Sequence, residues 1–511
     1  MEGSGVITEH TGAARKRSPA RSWTIVPFGT AALVSIGILV YAVTNSFVWD
    51  EGFHLVAAQL IAHGKRPYLD FCFPQTPLNA YWNAAWMRLF GERWQITHVA
   101  AALLLIGTLF LVARFTLESL PISRWRAGCA TIAVLFVGAS ITVVKFGPIA
   151  QAYAICLFCS FAAFFFTIEC VERGTAVLAA PAGMLAGIAA GSSLLSAPVA
   201  PVLAAWIFFR SSRRSAALAW FVAGAAVPIL PIVWLFVQGP HQTWFNIVAY
   251  QALFRRVDWD GATPHDVDVL TTWIDTGQAL IAAILSALAL LLMRGSDWTS
   301  RFRQRFSLAA WIAAALIVYI STAHPTFSRY YVVAIPFIAV LTAPGFYFAA
   351  SRIFRQARPL WPTLALSTFL LLALARFLFN ERDSATWRRY EELAHKVAAV
   401  TPKGAIFFAD EHLYFLLHIA PPPGMEFSYS HKLTLPRAEE ARLHIISEPE
   451  LKQNLASGIY ASFESCNDDR VDDWKVATFY KHRADIDDCS VFWDFQRKRG
   501  EPGARQPLKE P

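Results

Sequence analysis

About eleven apolar runs, each near the roughly twenty residues a bilayer requires, leave this chain few ways to fold. They occupy residues 25–47, 95–115, 126–144, 148–171, 175–192, 194–209, 216–237, 273–293, 306–322, 330–350 and 360–379. In hydrocarbon every backbone N–H and C=O must be satisfied within the protein, and runs of this length do so as helices. Composition agrees: 16% of residues are charged, against about 25% in a soluble domain. The expected class is an α-helical polytopic membrane protein. Gly191-Ser192-Ser193 either splits residues 175–209 into two short helices or kinks one.

Arg15, Lys16, Arg17 and Arg21 precede the first run. That run is long for a signal-peptide core, and Val48-Trp49-Asp50 after it offers no small-x-small cleavage site. Residues 1–24 are therefore expected to be a basic cytoplasmic arm, and 25–47 an uncleaved helix. Alternate loops then carry the arginines: Arg114, Arg124 and Arg126; Arg173; Arg210, Arg213 and Arg214; Arg294, Arg301, Arg303 and Arg305; Arg352, Arg355 and Arg358. This is the positive-inside pattern, and it accounts for the net charge of +8 without nucleic acid. An odd number of crossings places four pieces on the outer face: loop 48–94, loop 238–272, the short HPTFSR segment, and residues 380–511.

Residues 380–511 read as a small α/β domain, with a helix over 387–400 and strands over 405–409, 442–446 and 474–480. Cys466 and Cys489 lie in this stretch and are free to pair if it sits in an oxidising compartment. Cys129, Cys156, Cys159 and Cys170 lie in or beside apolar runs and read as small core residues.

Loop 49–93 reads WDEGFHLVAAQLIAHGKRPYLDFCFPQTPLNAYWNAAWMRLFGER and is too polar to span. Helical spacing of Phe53, Val56, Ala57, Leu60 and Ile61 predicts a helix that stops at Gly64. Thr76-Pro77 predicts an N-cap and first position for a second helix ending before Gly91. Two such amphipathic helices are expected to lie in the interface plane. Asp50 and Glu51 stand at the membrane exit. They serve either as cap and first-turn acid or as carboxylates that take a proton from an attacking group.

An Asp-Glu pair after the first membrane helix, an amphipathic helix, then RPYLDF and PQTPLNAYW resembles the first extracytoplasmic loop of GT-C glycosyltransferases. The likeness is to bacterial relatives of protein O-mannosyltransferases and aminoarabinose transferases. It implies a GT-C-like membrane domain over 25–379 in a bacterial inner membrane, with the site and residues 380–511 extracytoplasmic. It also implies a carboxylate at Asp50 serving the acceptor, and a sugar donor on polyprenyl phosphate. Arg329-Tyr330, opening a membrane helix, resembles the family's contact to the donor phosphate. Direct displacement would invert the anomeric centre. The acceptor is a glycan, a lipid or a protein, and membrane lipids are the remaining partners.

Other residues extend this reading. Lys65 and Arg66 between the loop helices suit a lipid phosphate or membrane headgroups. Tyr68, Gln75 and Asn79 suit sugar hydroxyls, and His324 stands near Arg329 in sequence. His54, one turn after Asp50, makes a divalent cation a candidate cofactor with Asp50 and Glu51. Many relatives carry a second acid after the third helix; here residues 144–151 have none, leaving Lys145 for a phosphate and Gln151 for a sugar. Asp258, Asp260, Asp266 and Asp268 are the acids of the other long loop. The cytoplasmic side shows no Gly-rich phosphate loop and no Walker motif, which argues against a nucleotide donor bound there. The rival classes are a transporter or flippase for lipid-linked sugars and a glycan-binding component without catalysis.

Overall fold

The computed structural model describes residues 25–48, 50–257, 259–272, 276–296, 298–354, 358–382 and 386–496. The arm 1–24, Arg355, Asp258 and residues 497–511 lie outside them. Every apolar run carries a helix. Among the described residues, seven are long and apolar enough to cross a membrane: Val26–Thr44, Trp94–Ser119, Tyr153–Arg173, Arg214–Gln238, Ser300–Ser321, Ser328–Ile353 and Leu360–Asn380. An eighth joins them if Ala262–Thr272 and Gly277–Met293 form one bent span. The other three runs fold as shorter helices, Ser123–Gly138, Ala176–Ser192 and Leu194–Arg210. Residues 175–209 thus divide in two. Ser193 takes an extended conformation there, and its hydroxyl accepts the Leu195 N–H at 3.4 Å to start the next turn.

Lipid removes the hydrophobic drive between helices, so close packing has to hold them. Small residues permit it. A Cβ on Gly183 would lie 1.9 Å from the Phe221 carbonyl oxygen, and one on Gly224 would lie 2.0 Å from that of Ala180. Helices Ala179–Ser192 and Arg214–Gln238 therefore touch backbone to backbone.

The C-terminal region opens with helix Trp387–Val400 and contains a three-stranded antiparallel sheet. Its strands are β1 (Ser462–Ser465), β2 (Tyr480–Ile486) and β3 (Cys489–Phe495), with β3 in the middle. Residues 405–409 form no full strand. Phe408 makes a single parallel bridge to Phe463, through Phe408 N to Ser462 O at 3.0 Å and Glu464 N to Phe408 O at 2.8 Å. The strand expected at 442–446 is instead the end of helix Arg437–Leu443. Pro436 before it and Glu439 and Glu440 in its first turn are helix-start signals that override the Leu443/Ile445 alternation. The strand expected at 474–480 begins only at Tyr480, the last of those residues, after a 3-10 turn at Val476–Thr478. Cys466 and Cys489 are joined in a disulfide.

Two apolar cores result. One runs through the helix bundle, from Ala31 to Leu370. The other is shared by loop residues such as Phe53 and Phe73, by Phe245 and Tyr250, and by Phe408, Phe427 and Phe492 of the C-terminal region. Helix Glu51–Ala62 is consequently buried on all faces from Glu51 to Ile61, so it keeps no free apolar face to lay on a bilayer as an amphipathic surface helix would. A Cβ on Gly52 would come 2.9 Å from His412 Nδ1, so glycine is what lets the C-terminal region close over this helix.

Candidate active site

Asp50 occupies the N-cap position of helix Glu51–Ala62, yet its side chain makes no capping bond. The cap expected of it is absent because the carboxylate is engaged elsewhere. Arg329 Nη2 donates to Oδ2 at 2.7 Å, and the Tyr429 hydroxyl donates to Oδ1 at 2.9 Å. Arg329 lies on the 3-10 turn Ser328–Ala334, with its guanidinium 4.2 Å from the centroid of the Phe327 ring. Arg255, at the end of the wide-turn helix Phe245–Phe254, lies 5.5 Å from the same ring and donates to the Tyr330 hydroxyl. Tyr153, at the start of its helix, lies within electrostatic reach of Asp50, Arg255, Arg329 and Tyr330. Two guanidiniums against one carboxylate leave a surplus positive charge, arranged on aromatic faces, that suits an anion with several oxygens.

Glu51 has a different environment. It is fully buried; His98 Nε2 meets Oε1, the Ala150 N–H donates to Oε1 at 3.0 Å, and the Val48 N–H donates to Oε2 at 3.3 Å. The other nitrogen of His98 faces the Ala42 carbonyl, at the end of the first helix, at 2.8 Å. Burial pushes the Glu51 carboxyl up, but the His98 imidazole, the Ala150 N–H and His412 outweigh it and hold it below its ordinary value. Asn79 and Asn83 donate to the Ala150 carbonyl at 2.8 and 2.7 Å. Glu51, Asn79 and Asn83 thus fix the turn that carries Gln151, whose Nε2 is buried with no hydrogen-bond partner among the described residues.

The remaining expected residues do not gather here. His54 is buried and stacked on Phe53, and burial, outweighing Asp50 and Glu51, pushes it down to about 4, so it is a neutral ring. Arg66 forks onto Asp70 at 3.1 and 2.8 Å, and exposed Lys65 acts on Asp70 and Glu426. The Tyr68 hydroxyl donates to the Gln75 carbonyl at 2.5 Å. His324 pairs with Asp266, and Lys145 pairs with Glu381 at 3.1 Å. Asp260 and Asp268 are exposed, and Asp258 lies outside the described residues. Asp50, Glu51 and His54 do not form a three-ligand cation group among the described residues; two of them already face a guanidinium and an imidazole. The one such group there is Glu464, Cys466 and Cys489, and its two sulfurs are bonded to each other.

Sequence reasoning missed Arg255, Tyr153 and Tyr429. Arg255 carried a signal: with Arg256 it breaks the charge bias of the outer loops. Tyr153 and Tyr429 carried none.

No protein-family model and no curated protein matches this chain. Solved structures do. ArnT, the aminoarabinose transferase of Cupriavidus metallidurans, matches in its undecaprenyl phosphate complex with TM-score 0.62 at 13% identity, over 93% of this chain and 98% of that one. Its apo form matches with TM-score 0.63 at 14% identity over the same shares. The archaeal oligosaccharyltransferase AglB of Archaeoglobus fulgidus, with an inhibitory peptide and a dolichol-phosphate, matches with TM-score 0.52 at 11% identity, over 91% of this chain and 73% of that one. From the first membrane helix to the C-terminal sheet, the chain has the GT-C glycosyltransferase fold that its first loop resembles.

Proposed function

We propose that this protein moves a sugar from a polyprenyl-phosphate donor to an extracytoplasmic glycan, lipid or protein acceptor, with inversion. The observation that carries the reading is Asp50 beside the cationic pair Arg329 and Arg255. The ArnT structure holds undecaprenyl phosphate and the AglB structure a dolichol-phosphate, so lipid phosphates are ligands that this fold accommodates. In the step, Asp50 takes the proton of the acceptor hydroxyl or amine. The acceptor atom bonds to the anomeric carbon while the bond from that carbon to the phosphate oxygen breaks. The electron pair stays on the polyprenyl phosphate, whose charge Arg329 and Arg255 hold. Engagement of Arg329 by the donor withdraws it from Asp50, leaving that carboxylate a stronger base with Tyr429 still holding it.

The test is a deletion strain profiled for lipid-linked sugars and envelope glycans. One lipid-linked sugar should accumulate and one glycan modification should disappear, both restored by the wild-type gene and neither by Asp50→Asn. Restoration by Asp50→Asn would favour transport or glycan binding over transfer.

A further inference from the structure

Away from the site, a groove of about 990 Å³ runs between helices Val26–Thr44, Ser123–Gly138 and Leu360–Asn380. Its wall on the first helix extends from Val26 to Tyr41, about 22 Å at 1.5 Å per residue, within a hydrocarbon layer of about 30 Å. Most of the lining is apolar. The charges stand at one end, the end away from Asp50, where Arg124, Arg126 and Arg358 line the mouth. Arg126 gives Nε to the Leu120 carbonyl at 2.9 Å, leaving its two terminal nitrogens.

The hydroxyls along the groove are of two kinds. Thr30 and Thr363 bond back to their own helices, to Val26 O at 3.0 Å and Pro359 O at 2.7 Å, as such residues commonly do in apolar surroundings. Thr131 and Ser367 also line the groove, but their buried hydroxyls have no hydrogen-bond partner among the described residues. They lie about 10 Å and about 13 Å along their helices from Arg124 and Arg358. Both oxygens are closed off from the groove as they stand, so they contribute no hydrogen bond to a ligand lying in it.

We propose that this groove binds one anionic glycerophospholipid from the leaflet on the arginine side. Its phosphate sits on Arg124, Arg126 and Arg358, and its chains fill the apolar length. Basic pockets between membrane helices recognise anionic headgroups by the same physics. The site is separate from the Asp50 chemistry and stands or falls without it.

The test uses the full-length protein, purified and exchanged into phosphatidylcholine vesicles containing phosphatidylglycerol, with retained lipids counted by native mass spectrometry. Wild type should keep one phosphatidylglycerol in preference to phosphatidylcholine. Arg124→Ala with Arg358→Ala should lower that preference roughly thirtyfold. Because losing arginines can disturb topology, Gly37→Phe is the second variant. A Cβ at Gly37 meets nothing within 4 Å, so the ring enters the groove without displacing protein, and the retained lipid should be lost. Equal retention of both lipids by wild type, or retention unchanged in Gly37→Phe, overturns the proposal. So does finding undecaprenyl phosphate, added at equal amount, as the species retained in place of phosphatidylglycerol.

Discussion

Arg329 and Asp50, 279 residues apart in the chain, are joined by a 2.7 Å ion pair in which both side chains are about one-fifth exposed. The expected phosphate holder and the expected base are therefore one unit before any substrate arrives. A partly buried pair of this kind is screened less than a surface pair, so each partner sets the other's position and charge.

Asp50→Asn should still insert, since no capping bond is lost and the amide oxygen can go on accepting from Arg329, though loss of the ion pair should lower its melting temperature. Transfer by the purified protein should nevertheless fall by about two to four orders of magnitude, the usual worth of a general base. Near-normal transfer would leave Asp50 a mere counter-ion to Arg329.

Replacing a planar fork by a point charge separates binding from chemistry. Arg329→Lys and Arg255→Lys should each raise the KM for the lipid-linked donor about tenfold, with a smaller effect on kcat. Titration with donor at saturating acceptor measures this. An unchanged donor KM in both variants would remove the anion site.

Tyr429→Phe keeps the ring packed edge-on against Phe53 and deletes only the hydroxyl that donates to Asp50. With one of its two anchors gone, Asp50 is held less well. We expect kcat to drop about tenfold while donor KM stays within about twofold. A rise in donor KM instead would assign Tyr429 to the phosphate.

Stability should depend on pH through Glu426. Burial pushes its carboxyl up to about 7, with the Gly424 N–H and Lys65 pulling the other way. A raised carboxyl binds its proton in the folded chain while the unfolded chain has released it. Its stabilisation is therefore complete below about 4.5 and declines as pH rises through about 7. Glu426→Gln stays neutral throughout and can still accept from Gly424. Its melting temperature should gain on the wild type from pH 5 to pH 8, by the equivalent of about 2–4 kcal/mol. His54 and His431, both pushed down to about 4 by burial, tilt the curve the opposite way between about 4 and 6.5. Comparing variant with wild type cancels their contribution, and a constant difference across the range would refute the Glu426 assignment.

Cysteine labelling in intact cells should place residues 213 and 303 inside and residue 265 outside, following the arginine-rich loops. External labelling at 303 would reverse that order.

Much of the bundle was legible because a bilayer imposes a length rule that hydropathy reads directly. Gly64 and Gly91, both at positive φ, marked the ends of the two loop helices just as the sequence suggested. Local signals did less well where two competed: Leu443 and Ile445 alternate like a strand, yet Pro436 and two glutamates had already started a helix. The site was half legible. Asp50 and Arg329 stand out at membrane exits, and the structure brings them together. Nothing local announces that Glu51 is committed to His98, 47 positions on. Nor does anything local announce that Tyr250 Oη reaches Tyr429 O at 3.2 Å, or that Lys432 Nζ reaches Arg255 O at 2.5 Å. Such contacts arise only when the C-terminal region packs into the core it shares with the loops.

That shared core has a consequence for biosynthesis. Asp50 is synthesised early, but its partner Tyr429 lies 379 residues further along the chain. Until the C-terminal region has folded, the first loop lacks part of its core and the carboxylate lacks one of its two anchors. On the proposed function, a nascent chain, or one truncated before residue 429, should therefore transfer sugar poorly, because its first loop is incompletely packed. The same dependence means that grafting the C-terminal region of a relative onto this bundle would exchange part of the candidate site along with it.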